Sequence, residues 1–144
     1  MRVIWLEDEP GTISVIKNRV KKHCKNITVC ESFATLSDKL EELLDDQYHD
    51  YFIIIDIRIV VNVDIVSTCF GNKFSVKEEL EAGLEYYIKC LKSRFDSEKI
   101  IFLSSKSAKY AKHDGEKYNI PLSQIIAKND IFELIERVKN ATSR

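Results

Sequence analysis

Phe52-Ile53-Ile54-Ile55-Asp56 is the stretch that decides the fold. An apolar run of that length and β-branched content reads as a strand covered on both faces, the kind found in parallel α/β sheets. A charged residue ending such a strand emerges at the sheet's carboxyl edge, where these sheets carry their chemistry. Asp56 is therefore the first candidate functional residue.

Three other apolar runs end in the same polar way. Val3-Ile4-Trp5-Leu6 gives way to Glu7-Asp8-Glu9, Ile100-Ile101-Phe102-Leu103 to Ser104-Ser105, and Gln124-Ile125-Ile126-Ala127 to Lys128. A short strand over Ile27 to Cys30 makes five. Between them the spacing predicts helices: Pro10 in a first helical turn followed by Ile13, Ile16 and Val20, and a stripe of Leu36, Leu40, Leu43 and Leu44 starting at Ser32. A third helix runs over 76–93, with Leu80, Leu84, Tyr87, Ile88 and Leu91 on one face. A fourth runs over 107–118, interrupted at Gly115, and a fifth carries Ile131, Leu134, Ile135 and Val138. Five strands and five helices in alternation imply a doubly wound five-stranded parallel sheet with right-handed crossovers, for which the strand order 2-1-3-4-5 is expected.

Composition narrows the function. A chain of 144 residues with 44% hydrophobic content, four glycines and two prolines fits one domain over 1–144. A net charge of -1 offers no electrostatic footprint for nucleic acid. No apolar run approaches the roughly 20 residues that cross a bilayer, and charge at Glu7 interrupts any signal-peptide core, so a cytoplasmic location is expected. Cys24, Cys30, Cys69 and Cys90 form no C-x-x-C pair and read as reduced core thiols.

In the expected order, winding reverses between the first and third strands, and Glu7, Asp8 and Asp56 line the crevice there. Close carboxylate pairs repel by about 4 kcal/mol at an effective dielectric near 20, so the cluster calls for protons or a cation. An all-oxygen ligand set on strand ends suits Mg²⁺. Beside such an ion Asp56 is a candidate nucleophile toward a phosphoryl group, with Lys128 pairing one phosphoryl oxygen and Ser104 donating to another.

Leu6-Glu7-Asp8-Glu9-Pro10, Asp56, Ser104 and Lys128, in this order on successive strand ends, resemble the response-regulator receiver domains of two-component signalling. The resemblance covers residues 2 to about 139. It implies a CheY-like, flavodoxin-like fold and a phosphoprotein that takes a phosphoryl group onto Asp56 from a histidine kinase or phosphotransfer protein. It further implies Mg²⁺ held by Asp8, Asp56 and the Arg58 backbone carbonyl, with Glu7 acting directly or through water. Ser104 and Lys128 would meet the acyl phosphate and reshape the face of helix 4, strand 5 and helix 5, changing affinity for a downstream protein or forming a homodimer. Such a domain is not an enzyme acting on other substrates; it catalyses only its own phosphorylation and dephosphorylation.

The chain departs from that family most clearly after Asp56. An insertion of roughly 15 to 20 residues over about 59–76, longer than ordinary βα links, precedes the third helix. Its β-branched residues and Phe70-Gly71-Asn72-Lys73 predict a small hairpin, either a lid or docking element or a surface decoration. Arg58 and Lys106, two positions beyond Asp56 and Ser104, flank the site, and Asp64 lies in the inserted segment. A degenerate receiver serving as a scaffold is the alternative, motivated by Glu7 where the family usually has aspartate, by Asn129 after the lysine, and by the insertion. An aspartate-dependent phosphohydrolase of the haloacid dehalogenase type needs a second acid two residues after the nucleophile, and this chain has Arg58 there.

Overall fold

The run that ends at Asp56 is strand β3 (Tyr51–Asp56), and all six of its residues are buried. Each fully buried isoleucine in it removes apolar surface worth about 2 kcal/mol from water. Its neighbours are β1 (Arg2–Leu6) on one side and β6 (Ile100–Ser104) on the other, both parallel to it. β2 (Asn26–Cys30) and β7 (Ile125–Ala127) complete the sheet outside β1 and β6, again in parallel. The computed structural model that shows this describes residues 1–47, 49–59, 67–76, 79–105 and 108–142.

The chain contains seven strands among the described residues, not five. Two short antiparallel strands, β4 (Ser67–Cys69) and β5 (Asn72–Phe74), fall between β3 and the next sheet strand, so the order is β2-β1-β3-β6-β7 and not 2-1-3-4-5 as numbered along the chain. The reversal of winding still lies at β1, which pairs with β2 on one edge and β3 on the other.

Alternation along each strand splits the core in two. Ile4, Leu6, Ile53, Ile55, Ile100 and Phe102 face one cluster, which α2 (Phe33–Asp45) covers with Phe33, Leu36 and Leu40 and α3 (Ala82–Tyr86) covers with Leu84 and Tyr86. α4 (Ala108–Tyr118) adds Ala111 to that face. Val3, Trp5, Phe52, Ile54, Ile101 and Leu103 face the second cluster, covered by α1 (Ser14–Lys21) through Val20 and α5 (Ile131–Thr142) through Leu134 and Val138. Helices on both faces of a parallel sheet define the doubly wound α/β class. No helix among the described residues is long and apolar enough to cross a membrane.

Local chemistry sets several boundaries. Ser32 is the cap of α2, its Oγ accepting from the Thr35 backbone N–H at 3.2 Å, and Leu44 lies half outside the stripe that buries Leu36, Leu40 and Leu43. Pro10 opens a 3-10 turn over Pro10–Ile13 that leads into α1. Gly115 does not interrupt α4; a Cβ there would meet the Ile120 carbonyl oxygen at 2.9 Å, so glycine is what lets the returning chain approach.

The third helix departs furthest from its predicted face. It begins as a 3-10 turn at Glu79–Glu81, is α-helical over α3, and widens to a π-helical turn at Tyr87–Leu91. Tight and wide turns shift the phase of the stripe, because each changes the residues per turn. Leu84, Tyr87 and Leu91 are buried as predicted, whereas Leu80 is 51% and Ile88 37% exposed, and Tyr86 and Cys90 are buried in their stead.

The inserted connection is a hairpin with its tip at Phe70 (φ 51°) and Gly71 (φ 80°), two left-handed residues that match the right-handed twist of the flanking strands. It is no loose decoration. Cys69, Phe74 and Val76 are buried in the α2/α3 core, Phe33 stacks on Tyr86 at 4.8 Å with Phe74 tilted against Tyr86 at 5.4 Å, and Glu41 of α2 accepts from the Phe70 backbone N–H at 2.9 Å. Asp64 and the rest of 60–66 lie outside the described residues, as does Lys106.

Candidate functional site

The parallel register brings four strand ends to one edge. Glu7 follows β1 and its N–H donates to the Cys30 carbonyl at 2.9 Å; Asp56 is the last residue of β3, opposite Leu103 of β6. Ser104 ends β6 opposite Ala127, and the Lys128 N–H donates to the Ser104 carbonyl at 2.7 Å. Backbone hydrogen bonding thus carries all four predicted positions to the carboxyl edge of the sheet.

A close approach by α3 fixes the Asp56 end. The Gly83 N–H donates to the Ile57 carbonyl at 2.8 Å, and a Cβ on Gly83 would stand 2.3 Å from the Asp56 carbonyl oxygen and 2.9 Å from Ile55 Cγ2. Only glycine lets the helix start so near the strand end.

At the edge, Lys128 Nζ donates to Asp56 Oδ2 at 2.8 Å and to Glu7 at 2.9 Å (Oε2) and 3.2 Å (Oε1). Both acids are buried, Glu7 1% and Asp56 3% exposed. Glu7, Asp8 and Asp56 each bring one carboxylate oxygen within 4.8 Å of the others. A cleft of about 240 Å³ opens beside them, with Glu9, Arg58, Ser105 and Lys128 also on its walls.

Burial and the neighbouring Glu7 carboxylate raise the Asp56 pKa from 3.8 to about 7, with Lys128 opposing them. Burial works to lower the Lys128 pKa, but its hydrogen bonds to Asp56 and Glu7 outweigh burial and the value is raised. The ammonium is therefore held charged between two acids, one of which is close to protonation at neutral pH.

The predicted residues meet unequally. Glu7, Asp8, Asp56 and Lys128 converge on the cleft, and Arg58 lines it from an exposed position. Ser104 reaches the same edge but is buried beneath it, and its neighbour Ser105 lines the cleft. Oxygen-only donors this close, on rigid strand ends with one side open to water, fit a hard divalent cation such as Mg²⁺.

Residues outside the strand-end pattern also form polar structure. Glu81 is buried and accepts from Lys117 Nζ at 2.8 Å and from the Tyr118 hydroxyl at 2.6 Å, tying the turn before α3 to the end of α4. Asp114 and Glu85 are buried as well. In sequence these acids look like the solvated face of a helix. A larger cavity, about 450 Å³, lies at the opposite edge of the sheet against Phe52, Ile100, Pro121 and Arg137, far from the carboxylates.

No protein-family model matches the chain, and a search of curated proteins finds no relative.

Proposed function

We propose that this chain is a response-regulator receiver domain that accepts a phosphoryl group on Asp56 from a histidine kinase or phosphotransfer protein and thereby switches binding to a downstream protein. The observation that carries the reading is the Lys128 ammonium 2.8 Å from Asp56 Oδ2, in a cleft shared with Glu7 and Asp8. One carboxylate is left to act as nucleophile, one cation stands ready for the oxygen charge, and two further acids are placed to bind a metal.

Transfer from a phosphohistidine forms a bond from an Asp56 carboxylate oxygen to phosphorus and breaks the nitrogen–phosphorus bond, the imidazole leaving with a proton. Asp56 must be ionised to attack, and Lys128 favours that form. As the phosphoryl group arrives, Lys128 can turn from Glu7 toward a phosphoryl oxygen without leaving the cleft, and Ser104, buried at the adjacent strand end, would have to move up into the cleft to donate to another. Mg²⁺, held by Asp8, Asp56, the Arg58 carbonyl and Glu7 directly or through water, would neutralise carboxylate and phosphoryl charge. Arg58 lines the cleft where a phosphohydrolase of the dehalogenase type needs an acid, which argues against turnover of other substrates.

Exposed Tyr110 of α4, Leu122 before β7 and Phe132 of α5 support a partner or homodimer surface along α4, β7 and α5. The second reading, a scaffold that needs no phosphate, is favoured by one observation: Glu7 grips Lys128 with both carboxylate oxygens. Intact-mass spectrometry after incubation with Mg²⁺ and acetyl phosphate separates the two. A single phosphoryl adduct that requires Mg²⁺ and disappears in Asp56→Asn is the expected result. An unmodified chain that also fails to bind Mg²⁺ in a titration would leave the scaffold.

A further inference from the structure

The pleat of the sheet sorts the strand-end residues onto two faces. Side chains alternate along a strand, and Trp5, Ile54, Leu103 and Ile126 all point into the core that α1 and α5 cover. Two residues on from Trp5, Ile54 and Ile126 come Glu7, Asp56 and Lys128, which alternation puts on that same side. Their contacts agree, since Lys128 Nζ reaches both Glu7 and Asp56. The alternation also persists beyond the end of β3: Ile57 and Ile59 are buried in the opposite core while Arg58 between them lines the cleft.

Ser104 falls on the other side of this pattern. It follows Leu103 in β6, so its side chain goes with Ile100 and Phe102 toward the α2/α3 face, and it is 2% exposed. The Ile57 N–H donates to the Leu103 carbonyl at 3.0 Å and the Lys128 N–H to the Ser104 carbonyl at 2.7 Å. These bonds pin the end of β6 between its two neighbours and oppose the turn that would carry the Ser104 hydroxyl across the sheet. Ser105, two residues on from Leu103, stands on the side of Glu7, Asp56 and Lys128; it is exposed and lines the cleft with them. Among the described residues of the cleft wall it alone brings a neutral hydroxyl, the others being acids or cations.

We propose that Ser105, not Ser104, supplies the hydroxyl that donates to a phosphoryl oxygen during transfer to Asp56. The role rests on Asp56 being the phosphoacceptor. In transfer from acetyl phosphate, an Asp56 carboxylate oxygen bonds to phosphorus as the bond from phosphorus to the acetyl oxygen breaks, and acetate leaves with that electron pair. Ser105 keeps its proton throughout and gains a charge-assisted hydrogen bond as charge builds on the phosphoryl oxygens. Lys128 meets a second oxygen from its own strand end, so the hydroxyl and the ammonium divide the charge between them. No movement of the sheet is needed, because both groups already face the cleft.

The test is the initial rate at which the full chain is labelled by acetyl phosphate in Mg²⁺, read by intact mass, with urea denaturation of each variant alongside. The unsubstituted chain gains one phosphoryl group. Ser105→Ala gains it roughly 10-fold more slowly with its urea midpoint unchanged, since an exposed hydroxyl contributes no packing, and Ser105→Thr, which keeps the hydroxyl, recovers most of the rate. The loss in Ser105→Ala exceeds that in Ser104→Ala. A Ser105→Ala chain labelled at the unsubstituted rate, or a folded Ser104→Ala chain labelled more slowly than Ser105→Ala, would overturn the proposal and leave Asp56 as the phosphoacceptor. An unsubstituted chain that takes no phosphoryl group, or an adduct that persists in Asp56→Asn, would overturn the reading of Asp56 and the role of Ser105 with it.

Discussion

Replacing Asp56 with asparagine should make the metal-free protein more stable, and by an amount that grows with pH. Asp56 has a pKa of about 7 in the folded chain against 3.8 in its ordinary state, so the folded form holds the proton more tightly. The stability this contributes is fully present below about pH 4 and is lost as pH rises through about 7, at 1.36 kcal/mol per unit. The whole effect is about 4 kcal/mol, and about 2 kcal/mol of it falls between pH 5 and pH 7. The Coulomb repulsion gives a similar scale: two carboxylates at 4.8 Å repel by about 3.5 kcal/mol at an effective dielectric of 20. Asparagine keeps the shape and still accepts from Lys128, but it does not titrate. Urea denaturation in a chelator at pH 5, 6, 7 and 8 reads the difference. The variant's advantage should widen by about 2 kcal/mol from pH 5 to pH 7 and then level off, equivalent to roughly 4–8 °C in Tm. Mg²⁺ at a hundred times its Kd should return about 2.7 kcal/mol to the unsubstituted chain and little to the variant. An advantage that does not change with pH, or a variant less stable at pH 8, would refute the electrostatic reading of the cleft.

Other consequences can be measured as directly. Gly83→Ala forces a methyl against the Asp56 carbonyl and should cost about 2–3 kcal/mol in chemical denaturation while slowing acetyl phosphate labelling, although residue 83 touches no phosphoryl oxygen. Lys128→Met leaves Glu7 and Asp56 buried without their shared cation, and its loss of about 3 kcal/mol at pH 8 should shrink at pH 5, where Asp56 is mostly protonated. Trp5, the single tryptophan, is buried two residues before Glu7 and opposite Ile54, so its fluorescence should change on titration with Mg²⁺ and stay flat in Asp56→Asn. Ser32→Ala removes the α2 cap and should cost about 1 kcal/mol at any pH between 5 and 8.

The strand ends were legible because a strand buried on both faces admits only apolar residues, so the first charge marks where it leaves the sheet; Asp56, Glu7 and Lys128 all followed that rule. The hairpin tip was legible for a related reason, since Phe70-Gly71 needs left-handed backbone and glycine supplies it. The third helix was misread at Leu80 and Ile88 because a stripe drawn at one period cannot foresee a 3-10 turn and a π turn in the same element. Glu81, Glu85 and Asp114 were passed over because burial of an acid depends on its partner, and Lys117 and Tyr118 come from the far end of another helix.

Gly83 also separates what can vary in this chain from what cannot. Any number of residues can leave β3 after Ile57, because doubling a loop adds only about 0.6 kcal/mol of closure entropy. The chain must nevertheless return with a bare backbone at one spot, where a side chain would collide with Asp56. Insertion length is thus free while the point of return is not, which explains how a hairpin came to sit beside a crowded strand end without displacing it. The exposed Gly71-Asn72 tip is accordingly the natural place to graft a peptide tag or a fluorescent reporter, at a distance in sequence from every residue of the cleft.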